Sequence, residues 1–86
     1  MSDPILNFVG ILAHQVNATF ANFPEGSRIV VVSQTTGETM PDLVTKASGS
    51  GPVGINLPDD FPAGDFYLKG LDADGGYLAQ SVGFHF

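Results

Sequence analysis

Glycine and proline cut this chain into short apolar runs. The breaks fall at Pro24-Glu25-Gly26, Gly37, Pro41, Ser48 to Pro52, Pro58, Pro62-Ala63-Gly64 and Gly75-Gly76. Their spacing of about ten residues, with Val, Ile, Phe and Tyr between them, predicts short β-strands joined by turns. The first predicted strand is Ile5 to Ile11, a candidate sheet edge. The second is His14 to Asn22, with Val16, Ala18 and Phe20 on one face by the period-two rule. Ser27 to Ser33 is the third, and its Val30-Val31-Val32 core suits a pleated surface because β-branched side chains are stiff. Leu43 to Ala47, Val53 to Leu57, Asp65 to Leu71 and Tyr77 to Phe86 complete the set. Val53, Ile55 and Leu57 are expected to face inward. Leu6 to Ala13 is apolar enough to tempt a helical reading, but Gly10 and the β-rich surroundings oppose it.

Seven such strands in 86 residues predict one domain, residues 1–86, folded as an all-β, antiparallel Ig-like β-sandwich of about seven strands. The chain lacks cysteine and tryptophan, so the antibody-type pattern of paired cysteines around a tryptophan is missing. The segment Ala47 to Gly54, ASGSGPVG, reads as a flexible loop inside the domain.

From Val53 onward the chain carries Leu57-Pro58, Pro62-Ala63-Gly64-Asp65-Phe66, a hairpin signal at Asp74-Gly75, and Ser81-Val82-Gly83-Phe84. In this it resembles the C-terminal half of small bacterial Ig-like and fibronectin-like domains. It is also similar to the modules that open fungal cell-wall proteins of the Kre9/Knh1 type. The resemblance implies a display, adhesion, spacer or virion-surface module without catalytic residues. One departure is Phe66 where a Tyr is frequent, which removes the hydroxyl a tyrosine corner requires.

The charge balance narrows the partners. Nine acids against three bases give a net charge of −6. Arg28, Lys46 and Lys69 are few and scattered along the sequence, so nucleic acid and anionic membranes are not expected partners. Charged residues are 14% of the chain, against about 25% in ordinary domains, which predicts a low-charge contact surface. Nothing resembling a signal peptide or a membrane span is expected in the apolar N-terminal stretch, because it carries Asp3, Pro4 and Asn7. Without cysteine, a reducing compartment or a stabilising partner is expected.

Each candidate for chemistry has a plainer reading. Asp72 and Asp74 in Leu71 to Tyr77, LDADGGY, begin like a calcium loop, but no acid follows in Tyr77 to Phe86. A hairpin turn at Asp74-Gly75, where positive φ is tolerated, accounts for them better. Asp59, Asp60 and Asp65 sit in a Pro-flanked loop, expected to be solvated and a strand length away. His14 and His85 lack the further ligands that zinc needs, and His85 should face away from Phe84 and Phe86. No nucleophile elbow or phosphate loop is present. Among the aromatics, Phe20, Phe66 and Phe84 are expected in the core, and Tyr67 and Tyr77 are the candidates for an outer face.

The expectation is therefore a non-enzymatic structural or interaction module without catalytic, metal or cofactor sites. The expected setting is surface display or a virion accessory role, as in capsid decoration or a tail. Docking to a protein partner or to itself is expected through the Ile5 to Ile11 edge. A carbohydrate-binding or adhesion module using Tyr67 and Tyr77, and a calcium-stabilised spacer domain, are the alternatives.

Overall fold

The computed structural model describes residues 3–86, without the side chains of Pro41 and Asp42. These residues form eight strands and no helix. In chain order the strands are β1 (Ile5–Leu12), β2 (Gln15–Phe23), β3 (Arg28–Ser33), β4 (Thr39–Lys46), β5 (Gly49–Asn56), β6 (Asp65–Leu71), β7 (Tyr77–Gln80) and β8 (Phe84–His85). All pairings are antiparallel. One sheet has the order β1-β2-β5; the other has β4-β3-β6-β7, with β8 also on β6.

One core cluster draws on both sheets. Val16, Ala18, Phe23 and Ile55 come from the first sheet; Ile29, Val31, Phe66, Leu68 and Phe84 come from the second. Val16, Ile29, Val31 and Leu68 are fully buried. Each such side chain contributes about 1.5–3 kcal/mol by leaving water. The expected inward residues Ile55 and Leu57 are buried, while Val53 is half-buried against the core. Aromatic rings fill one end of this core. Phe8 stacks on Phe84 at 4.8 Å, and Phe61 lies 4.7 Å from Phe66 and 5.3 Å from Phe86.

Several irregularities depart from the simple alternation. In β2 the register slips between Phe20 and Phe23, and Asn22 takes a φ of 62°. The slip turns Phe23, not only the even-numbered residues, into the core, and leaves Phe20 half-buried. Asn22 suits the left-handed position, and its side chain donates to the Asp3 carbonyl at 3.1 Å.

The expected last strand, Tyr77 to Phe86, is broken into β7 and β8. Ser81 is the cause. Its N–H donates to the Leu68 carbonyl at 2.8 Å, and its Oγ accepts the Leu68 N–H at 2.9 Å. A hydroxyl thus replaces a backbone carbonyl in the ladder, and the chain bulges over Val82 and Gly83 before β8 rejoins β6 at Phe84.

The segment expected to be a flexible loop, Ala47 to Gly54, is mostly strand. β5 begins at Gly49 and pairs with β2 through Phe23↔Gly49 and Phe20↔Gly51 to Gln15↔Asn56. Pro52 is tolerated because β5 is an edge strand, where one side of the backbone needs no ladder partner. β4 likewise starts earlier than expected. Its register with β3 jumps between Val32↔Thr39 and Val30↔Val44, across the part of the strand that holds Pro41.

Candidate interaction surfaces

Asp72 and Asp74 occupy the β6–β7 hairpin. Asp72 is the structural member of the pair: its Oδ1 accepts the N–H groups of Asp74 at 2.9 Å and Gly76 at 2.7 Å. The loop closes by Gly75 N–H to the Asp72 carbonyl at 3.0 Å, and Gly75 takes a φ of 87°. Only Gly75 carries the positive φ expected of the Asp74-Gly75 turn; Asp74 does not. The turn's side-chain hydrogen bonds go to Asp72, which the sequence offers as a candidate calcium ligand and not as the organiser of the turn.

Asp65 lies at the far end of β6, opposite His85 on β8. Its Oδ1 meets His85 Nδ1 at 3.0 Å, with both side chains mostly exposed. The contact is an ion pair only when His85 is protonated, and an exposed ion pair adds a few tenths of a kcal/mol, up to about 1 kcal/mol. His85 points away from buried Phe84, as strand alternation expects. His14 is outside β2, in the β1–β2 turn, 5.7 Å from the Phe86 ring. Among the described residues, no three of the His, Asp and Glu side chains come together as metal ligands would.

Two surfaces remain. The first is the free edge of β1. Among the described residues this strand pairs only with β2, so one side of its backbone is unladdered there. A bulge between Phe8 and Gly10 interrupts the register at Val9. Ile5, Val9 and Leu12 are exposed, Val9 by 65% and Leu12 by 74%. The other edges are guarded. β5 carries Pro52 and three glycines, β4 carries Lys46, and the β7–β8 edge is broken at Ser81. Over its eight residues β1 has no charge and no proline, and it is the longer of the two edge strands of which this is true, β7 having four residues.

The second is the outer face of the larger sheet. Ile29 and Val31 point into the core, so Arg28, Val30 and Val32 point out. Register then places the neighbours: Arg28 lies opposite Lys46 on β4 and Leu71 on β6, Val30 opposite Val44 and Lys69, and Val32 opposite Tyr67. Leu71 in turn faces Tyr77. Comparison with family models, with curated proteins and with solved structures finds no match. What the chain does is therefore read from these two surfaces.

The outer face corrects one expectation from the sequence. Arg28, Lys46 and Lys69 are scattered in the chain but gathered in space, on three adjacent strands of one face. They are all the basic residues the chain has. Tyr67 and Tyr77 share that face, Tyr67 half-buried and Tyr77 exposed by 60%. Val30 and Val32 are buried although they face outward, flanked by the longer side chains of Tyr67 and Lys69 across the ladder. A groove of about 400 Å³ opens at the β3–β4 end of this face, lined by Arg28, Val44, Lys46, Ala47 and Ser48. Only the β3–β4 and β3–β6 registers bring the cations together, and neither can be read from strand alternation alone.

Proposed function

We propose that this chain is a non-enzymatic interaction module that docks to a protein by strand addition at β1. The supporting observation is the contrast among its edges. The others carry proline, a charged residue or a break in the strand, whereas β1, interrupted only by its bulge at Val9, offers an uncharged, proline-free edge flanked by exposed Ile5, Val9 and Leu12. Natural sheets blunt an edge that must stay unpaired with charge, proline or bulges, so an edge that has a single bulge and neither charge nor proline favours pairing. We read the fold as a fibronectin-like β-sandwich. In favour of that reading, β4 pairs with β3, whereas a constant-type Ig arrangement would put the fourth strand in the sheet of the first two. The setting that suits an edge-docking module of low charge is surface display or a virion accessory role.

Light scattering on the eluting peak of a size-exclusion column tests self-pairing, and cross-linking in a purified particle tests a different protein partner. Val9→Lys should abolish either contact while leaving the melting temperature nearly unchanged, because Val9 is exposed. A monomer with no neighbour cross-linked through β1 removes the proposal.

A sugar-binding role is the second reading, favoured by Tyr67 and Tyr77 on one outer face. A glycan array signal lost in Tyr77→Ala would support it over docking at β1.

A further inference from the structure

Arg28 and Lys46 face each other directly across the β3–β4 ladder. Like charges in that position destabilise a sheet. This chain has nine acids to its three bases, yet two of the three bases are set side by side. Lys69 stands diagonal to Arg28, opposite Val30, within reach of long side chains. The Arg28 guanidinium leans the other way, toward the β6–β7 hairpin, with its Nη2 at 3.8 Å from where a Cβ on Gly75 would stand. Arg28 and Lys46 both line the groove, together with Val44, Ala47 and the exposed Ser48.

We infer that this groove binds the phosphate or sulfate group of a small organic ester, held between Arg28 and Lys46. The charge is right for such a group: a guanidinium matches an oxyanion with two parallel N–H donors, and an ammonium supplies a second charge. An anion in the groove gives both cations a common partner, the Arg28 side chain swinging from the hairpin to reach it. The volume, about 400 Å³, falls within the range of pockets that hold small organic ligands and exceeds what a bare oxyanion fills. Val44 and Ala47 offer apolar wall for the body of the ester, and Ser48 a hydroxyl. A polyanion is disfavoured, because the net charge of −6 repels it beyond this one patch.

Amide-resolved NMR titration tests the inference, with inorganic phosphate, inorganic sulfate and a hexose phosphate as probes against chloride at matched ionic strength. The expected result is saturable shifts confined to Gly26 to Arg28 and Lys46 to Ser48, with the ester tighter than the inorganic ions. Lys46→Thr should weaken binding about tenfold or more, since it removes a charged hydrogen-bond donor. The same variant should melt no lower than the parent without ligand, because it relieves the like-charge pair. Arg28→Gln, which keeps a long polar side chain on β3, should weaken binding likewise. Shifts that rise linearly, spread over the surface or recur with chloride overturn the site, as does unchanged binding in both variants. Equal affinity for ester and inorganic phosphate overturns the assignment of an ester. None of these outcomes involves β1, so they are independent of docking there.

Discussion

The ring of Phe23 lies against the backbone of Gly70: a Cβ added there would stand 2.6 Å from Phe23 Cζ. Phe23 belongs to the first sheet and Gly70 to the second, between Ile29 and Ala79. The bulge at Asn22 aims the ring, and the missing side chain at Gly70 receives it. Gly70→Ala should therefore cost about 1–3 kcal/mol by overpacking, read as a lower midpoint in urea. The double variant with Phe23→Leu should recover part of that loss, because the two positions share one space. Additive losses would show that the ring and the glycine do not compete.

Ser81 makes a different kind of test. Its hydroxyl is the partner of the buried Leu68 N–H and itself donates to the Val82 carbonyl. Ser81→Ala should leave that N–H without an acceptor, at about 1–3 kcal/mol. Hydrogen exchange at the Leu68 amide should accelerate more than at Ile29. Equal protection in variant and parent would mean that another acceptor takes over.

The β1–β2 hairpin contains strain that can be removed. Leu12 pairs with Gln15, so Ala13 and His14 form a two-residue turn, and Ala13 has a φ of 55°. That first central position is one that Gly ordinarily fills in hairpins. A left-handed Ala costs about 1–2 kcal/mol, against roughly 0.4–1 kcal/mol of extra chain entropy for Gly. Ala13→Gly should accordingly raise stability by about 0.5–1 kcal/mol, or a few degrees in Tm for a domain of this size. A lower Tm would contradict the strained turn.

The β6–β7 turn separates its two aspartates. Asp72→Ala removes an oxygen that accepts two backbone N–H groups and should cost about 1 kcal/mol. Asp74→Ala, at an exposed position with no side-chain bond, should be close to neutral. Calcium in excess should leave the Tm where chelator leaves it. A calcium-dependent rise would restore the spacer-domain reading.

Where strands carry their own propensity, the sequence anticipates them closely. Asp65 to Leu71 is found with both its expected ends, and β3 differs from expectation by one residue. Where a strand depends on its partner, the sequence is silent. Gly49, Gly51 and Pro52 have no preference for extended pairing, and become strand because the edge of β2 is there to be paired. The break at Ser81 is hidden for a similar reason: a serine in an alternating run says nothing until its hydroxyl meets the Leu68 amide. The edge position of β1 agrees with the candidate edge at Ile5 to Ile11. The gathering of Arg28, Lys46 and Lys69 is not anticipated, because it needs two strand registers that no local pattern encodes.

The pairing of β2 with β5 also sets an order of assembly. β1 and β2 are joined by a tight turn and close within microseconds, as hairpins do. The other side of β2 pairs with β5, whose first residue, Gly49, comes after the whole of β3 and β4. Closing that long loop is the slow, non-local step. On a ribosome, β2 would emerge early and wait with one side of its backbone uncovered, a period in which two nascent chains could pair with each other before either completes its own sheet.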